Sequence, residues 1–142
     1  MDILNTFRIS GSALQAQTTR LNTISSNLAN VETTSTPEGG PYKKKSVVFQ
    51  STPLSFQEQL EGIRGGAQGV SVTKITEDTS APRKVYNPSH PDAKEDGYVE
   101  MPNISVLEEM VDMMSATRSY QANVTSIKMA KRMAMKALDI GR

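Results

Sequence analysis

Glu108, Glu109 and Asp112 place three carboxylates within five residues, and closely spaced carboxylates are the groups that general acid–base catalysis uses. Here they fall on the first turns of a helical pattern, where acids meet the positive end of the helix dipole, so their spacing needs no catalytic explanation. His90, the only histidine, lies between Pro88 and Pro91 with Asp92 close by, as in a surface turn. With one histidine and no cysteine, a zinc site lacks ligands of the usual kinds. No serine or threonine is paired with a base in a nucleophile motif. The run GIRGGAQG superficially looks like a phosphate loop but lacks the Gly-Lys-Ser/Thr ending that holds phosphate and magnesium, so it reads as a flexible loop. Lys43, Lys44 and Lys45 beside Tyr42 fall short of a nucleic-acid surface and read as a solvated strand entrance. The expectation is a protein that is not an enzyme, with no cofactor, no metal, no small-molecule substrate and no nucleic acid.

The elements that carry these residues are bounded first by composition. A chain of 142 residues buries only a modest core as one ordinary domain. A net charge of +1 marks no binder of polyanions or acidic substrates. Absence of cysteine leaves cytosol and periplasm open as compartments. The first twenty residues, broken by Asn5, Thr6, Arg8 and Ser10, lack the apolar segment of a secretory signal.

Phe7, Leu14, Leu21 and Leu28 recur every seven residues, with Ile24 and Val31 at the second seam position, which predicts a long amino-terminal helix. Asp2 is a candidate cap, and Gly11 weakens the helix by about 1 kcal/mol relative to Ala. Between Ile9 and Val31 the only charge is Arg20, whereas a solvated helix face normally carries more. A second helix is predicted over about 104–140, opened by a capping box at Ser105 and Glu108 and closed by Gly141. Its two seam series are Val106, Met113, Tyr120, Ile127 and Ala134, and Met110, Thr117, Val124 and Leu138 with Lys131 interrupting. Seven of the eight methionines occur from Met101 onward, and such adaptable side chains suit an interface with non-identical neighbours. Over 127–142 the wheel sets Lys128, Lys131, Arg132 and Lys136 against Met129, Met133, Ala134, Ala137, Leu138 and Ile140, an arrangement that also fits an anionic membrane surface or a helix-accepting groove. Helices of roughly 45 and 55 Å exceed a compact domain of this size. The fold class is therefore mainly α with a small β-rich insert, the two terminal helices pairing as a coiled-coil-like antiparallel hairpin.

The segments divide at 1–33, 34–103 and 104–142. The middle one holds all seven prolines and short β-branched runs, read as strands at 46–50, 70–76, 84–86 and 98–101 whose pairing is not readable.

Ser25, Ser26, Asn27, Leu28, Ala29 and Asn30, followed by Thr33, make an S-x-N-L-A-N signature that resembles the amino terminus of bacterial flagellar axial proteins, the rod and hook family. Residues 97–124, above all Arg118-Ser119-Tyr120-Gln121-Ala122-Asn123, look like the carboxy-terminal region of its proximal-rod members. The resemblance implies a structural subunit of the basal-body rod that carries torque across the periplasm. It would be exported through the flagellar type III apparatus without a cleaved signal peptide. Its neighbours would be other rod proteins, basal-body junction proteins and copies of itself. Family members normally run from the signature into a Thr-x-Gly-Tyr-Lys turn, whereas TSTPEGGP intervenes here before Tyr42 and Lys43. Packing roles therefore carry over to the terminal helices alone. They fall on Phe7, Leu14, Leu21, Ile24, Asn27, Leu28, Ala29 and Asn30, and on Val106, Met110, Met113, Thr117, Arg118, Tyr120, Gln121, Asn123, Val124, Ile127 and Leu138. Asn27 and Asn30 are expected either to satisfy terminal carbonyls or to reach a neighbouring subunit, where a charge is costly to desolvate. Two rival readings remain: a type III-secreted helical adaptor or effector, and a peripheral membrane protein using the basic carboxy-terminal helix.

Overall fold

The computed structural model describes residues 3–51 and 68–140. Helix α1 (Ile3–Ala29) is followed by strands β1 (Lys45–Ser51), β2 (Val70–Glu77), β3 (Arg83–Tyr86) and β4 (Tyr98–Met101), then helix α2 (Val106–Ile140). The fold is mainly helical with a small antiparallel β insert. The strands lie within a residue of their expected bounds and pair as two separate hairpins, β1 with β2 and β3 with β4. Asp2, Gly141 and most of GIRGGAQG lie outside the described residues.

The helices pack on each other. Asn27 meets Glu109 and Arg20 meets Asp112, so rising along α1 means descending along α2, and the pair is antiparallel. Ser105 caps α2 loosely, accepting the Glu108 N–H at 3.5 Å, while Ile104 is buried beneath the first turn. Many hydroxyls fold back on their own helix: Thr18 donates to Leu14 O, Thr23 to Thr19 O, Thr117 to Met113 O and Thr125 to Gln121 O. Bonded in this way, they have no need of water and can be covered by a neighbour at little cost.

The β1–β2 hairpin lies along α1. One end is held where Asn27 meets Lys45 and the other where the Val70 N–H donates to Ser12 Oγ at 3.1 Å. Fifteen helical residues and a seven-residue strand each span about 22 Å, which is why the ends match. Thr73 is the extra residue of a bulge, because Val48 pairs with Lys74 and Phe49 with Val72. In the β3–β4 hairpin, Val99 is fully buried and Tyr86 stacks edge-on against Tyr98 with ring centroids 5.3 Å apart.

The inward face of α2 corrects one of the two seam series. Glu109, Ala116 and Ala130 are buried and Asn123 is half-buried, one residue before each of Met110, Thr117, Val124 and Lys131. Met110 is 53% exposed and Leu138 74%, so neither lies in the helix–helix seam. Ser10, Ala16 and Thr23 of α1 are buried as well, and small side chains on packed helices let the axes approach. Of the other series, Met113, Ile127 and Ala134 are half-buried, while Val106 and Tyr120 are exposed. In the tail, Met129, Met133, Ala137, Leu138 and Ile140 are exposed, as are Lys128, Lys131, Arg132 and Lys136.

Candidate assembly interface and its buried junction

Where α1 ends, β1 begins and α2 starts, the three elements are tied by one polar cluster. Asn27 is 1% exposed and uses its whole hydrogen-bonding capacity. Its Oδ1 accepts the Lys45 N–H at 2.9 Å and the Tyr42 hydroxyl at 3.2 Å. Its Nδ2 donates to Lys45 O at 2.8 Å and to Glu109 Oε2 at 3.0 Å. The amide thus engages both backbone groups of Lys45, the first residue of β1, as a neighbouring strand would. The role differs from the expected one, since Asn27 neither caps its own helix nor stays free for a neighbour. Asn30 does satisfy a terminal carbonyl, donating to Ser26 O at 2.9 Å.

Glu109 is a first-turn acid as expected, yet it is buried: it is 1% exposed and its Oε1 pairs with Lys44 Nζ at 2.8 Å. Lys44 in turn is no solvated strand entrance, its side chain being 23% exposed. The hydrogen bond to Glu109 raises the Lys44 pKa above its ordinary 10.5, against the opposing effect of burial and with help from the Glu109, Glu108 and Asp112 charges. A buried carboxylate is tolerated here because a cation and an amide both serve it. Lys45 lies 5.8 Å from the centre of the Tyr42 ring. Outside this cluster, the Arg20–Asp112 pair at 3.3 Å is a surface contact of small energetic weight.

The inserted TSTPEGGP closes on itself. Gly39 and Gly40 both take positive φ, and the Tyr42 N–H donates to Thr33 O at 3.1 Å. The chain therefore resumes at Tyr42 beside the signature it left, and the Tyr42 hydroxyl reaches Ser26 and Asn27.

A family model described as flagella basal body rod protein matches residues 7–35, and one described as flagellar basal body rod FlgEFG protein C-terminal matches 95–140. The flagellar basal-body rod protein FlgC of Bacillus subtilis (strain 168) is 46% identical over 150 residues, covering 100% of both chains. The protein of that name in Salmonella typhimurium is 44% identical over 142 residues, again 100% of both. That of Borreliella burgdorferi is 39% identical over 151 residues, 99% of this chain and 98% of the relative. The chain belongs to the flagellar basal-body rod protein FlgC family.

Within this rod-family chain, Asn27 and Glu109 fall in the two matched segments, and Lys44 and Lys45 fall between them. The residues given packing roles divide by exposure. On α1, Ile24 and Asn27 are buried, Phe7, Leu14, Leu21, Leu28 and the adjoining Asn30 are half-buried, and Ala29 is exposed. On α2, Met113, Asn123, Val124 and Ile127 are half-buried, while Val106, Met110, Thr117, Arg118, Tyr120, Gln121 and Leu138 are exposed. Sequence reasoning missed Glu109, Lys44 and Tyr42 as a unit. The one available signal was the Asn27 amide inside an apolar seam, which calls for polar partners elsewhere in the chain.

Proposed function

We propose that the chain is a structural subunit of the proximal rod of the bacterial flagellar basal body, packing with copies of itself and with other rod and junction proteins into a helical tube that transmits torque. The observation that carries this reading is the surface of α2. Eleven of its large apolar side chains are exposed, among them Leu107, Met110, Val111, Met114, Met129, Met133 and Ile140. Covering them stabilises an assembly by on the order of 10 kcal/mol.

In this reading the two helices form a coiled-coil-like hairpin in the inner layer of the tube. Their outward faces, including Met110, Thr117, Arg118, Tyr120, Gln121 and Leu138, pack on adjacent subunits. The contact is heterologous and non-closing, which yields a filament. The junction end is folded in the free subunit, and the distal turns of both helices gain order on assembly. Export in the unfolded state, through the flagellar type III route and without a cleaved signal, fits a marginal free state. Isolation of basal bodies from cells carrying a tagged copy tests the function: the chain should co-purify with the rod, and its absence from rods that still form would refute the proposal.

A further inference from the structure

The β3–β4 hairpin is held differently at its two ends. Among the described elements, neither helix and neither strand of the other hairpin packs on it. Its root is embedded through Pro102 and Ile104, both buried where β4 leads into α2. Its tip, residues 87–97, meets the start of the inserted TSTPEGGP, where the Thr34 hydroxyl donates to Asp92 Oδ2 at 2.6 Å. Within the tip, the Asn87 N–H donates to Gly97 O, the His90 N–H to Asn87 O and the Ala93 N–H to His90 O. The half-buried His90 ring completes this turn, its Nδ1 accepting the Asp92 N–H at 3.1 Å. A ring nitrogen accepts only when it carries no proton, so this bond requires the neutral imidazole with its hydrogen on Nε2.

We propose that His90 is a proton-operated catch: the neutral ring holds Asp92 on Thr34, and protonation at Nδ1 frees the β3–β4 tip from the inserted segment. The new N–H of the imidazolium faces the Asp92 N–H, donor against donor, so the turn opens. The Asp92 carboxylate is an acceptor within its reach, and a charged donor competes there with the neutral Thr34 hydroxyl. Asp92, Glu95 and Asp96 share the tip, and Glu32 and Glu38 lie on the segment that carries Thr34. Of the cations, Lys94 pairs with Glu100 and Lys84 faces Glu100 across the strands, while Lys43 lies at the root beside Pro82 and Pro102. The imidazolium therefore has partners once the turn opens. An ordinary imidazole changes charge between about pH 5 and 8, where ordinary carboxylates and ammonium groups do not, so the catch moves alone.

Nuclear magnetic resonance of the full chain from about pH 8 to about pH 5 tests the catch. At the alkaline end the His90 ring should carry its hydrogen on Nε2. On acidification the Thr34 signals, far away in the chain, should move with the same midpoint as the ring. Protection of the Asp92 amide should fall about fivefold, the worth of one exposed hydrogen bond. In His90→Asn, the side-chain oxygen accepts the same N–H as in an Asx turn and takes up no proton, so Thr34 should keep its alkaline signal throughout. In Asp92→Ala, the ring should still titrate while Thr34 no longer follows it. A ring hydrogen on Nδ1, a Thr34 signal that ignores the wild-type ring, or one that still moves in His90→Asn overturns the proposal. None of these outcomes bears on the rod reading.

Discussion

Breaking the Lys44–Glu109 pair from one side or the other should have unequal consequences. In Lys44→Met, the Glu109 carboxylate stays in a position that leaves its side chain 2% exposed, with only Asn27 Nδ2 to serve it. Removing one partner of a buried pair costs about 3 kcal/mol or more. In Glu109→Gln, the amide oxygen can still accept from Asn27, and the Lys44 ammonium, 23% exposed, can turn toward water. That loss should be about 1 to 2 kcal/mol. Replacing both, as Lys44→Met/Glu109→Met, removes both charges of the pair and should recover much of the Lys44→Met loss, leaving a deficit of about 1 to 2 kcal/mol from the Asn27 Nδ2 hydrogen that loses Glu109 Oε2. Urea unfolding of the full chain followed by circular dichroism reads these differences. Because the folded Lys44 pKa is raised, the pair contributes fully below pH 10.5 and its contribution fades as pH climbs through the raised value. Glu109→Gln should therefore flatten the alkaline limb of the stability profile. A Lys44→Met variant more stable than Glu109→Gln, or a double variant as unstable as the two losses summed, would refute the reasoning.

Asn27→Asp sets a second carboxylate about 3 Å from Glu109, so the variant should be destabilised at neutral pH and regain stability as pH falls into the carboxylate range, measured by thermal unfolding across pH. Gly97→Ala should destabilise the β3–β4 hairpin by about 1 to 2 kcal/mol, since φ is +74° and the new Cβ would sit 2.9 Å from Tyr86 Cε2; loss of the near-ultraviolet tyrosine signal would report it. Amide exchange in the free chain should protect the α1 residues around Asn27 and the first turns of α2 and leave 129–140 fast, whereas uniform protection along α2 would rule out ordering on assembly.

Much of the fold was legible because its signals are local. β-branched runs bounded by proline and glycine placed the four strands, and the seven-residue repeat placed both helices. Of the series Val106, Met113, Tyr120, Ile127 and Ala134, the members Met113, Ile127 and Ala134 were legible, being half-buried, whereas Val106 and Tyr120 are exposed. Apolar volume and burial part company at Met110 and Leu138, because α2 presents large apolar residues outward and keeps Glu109, Ala116 and Ala130 for its own partner. A pattern read as one seam belongs to two surfaces, and periodicity alone cannot say which neighbour takes which. The junction was hidden for a different reason. The first-turn position of Glu109 sufficed to explain an acid, and its cation, Lys44, is far away in the chain in what looked like an ordinary basic run. Strand pairing stayed unreadable because each sheet has only two strands and Thr73 breaks the register of one.

The central claim is that the exposed face of α2 is covered in the assembled rod. Peroxide oxidation of Met110, Met114, Met129, Met133 and Met135, read by mass spectrometry in the free chain and in isolated basal bodies, measures that cover residue by residue. All five should oxidise readily in the free chain and be protected severalfold in the basal body. Equal oxidation in the two states would mean that water, and not a neighbouring subunit, is what this face is built to meet.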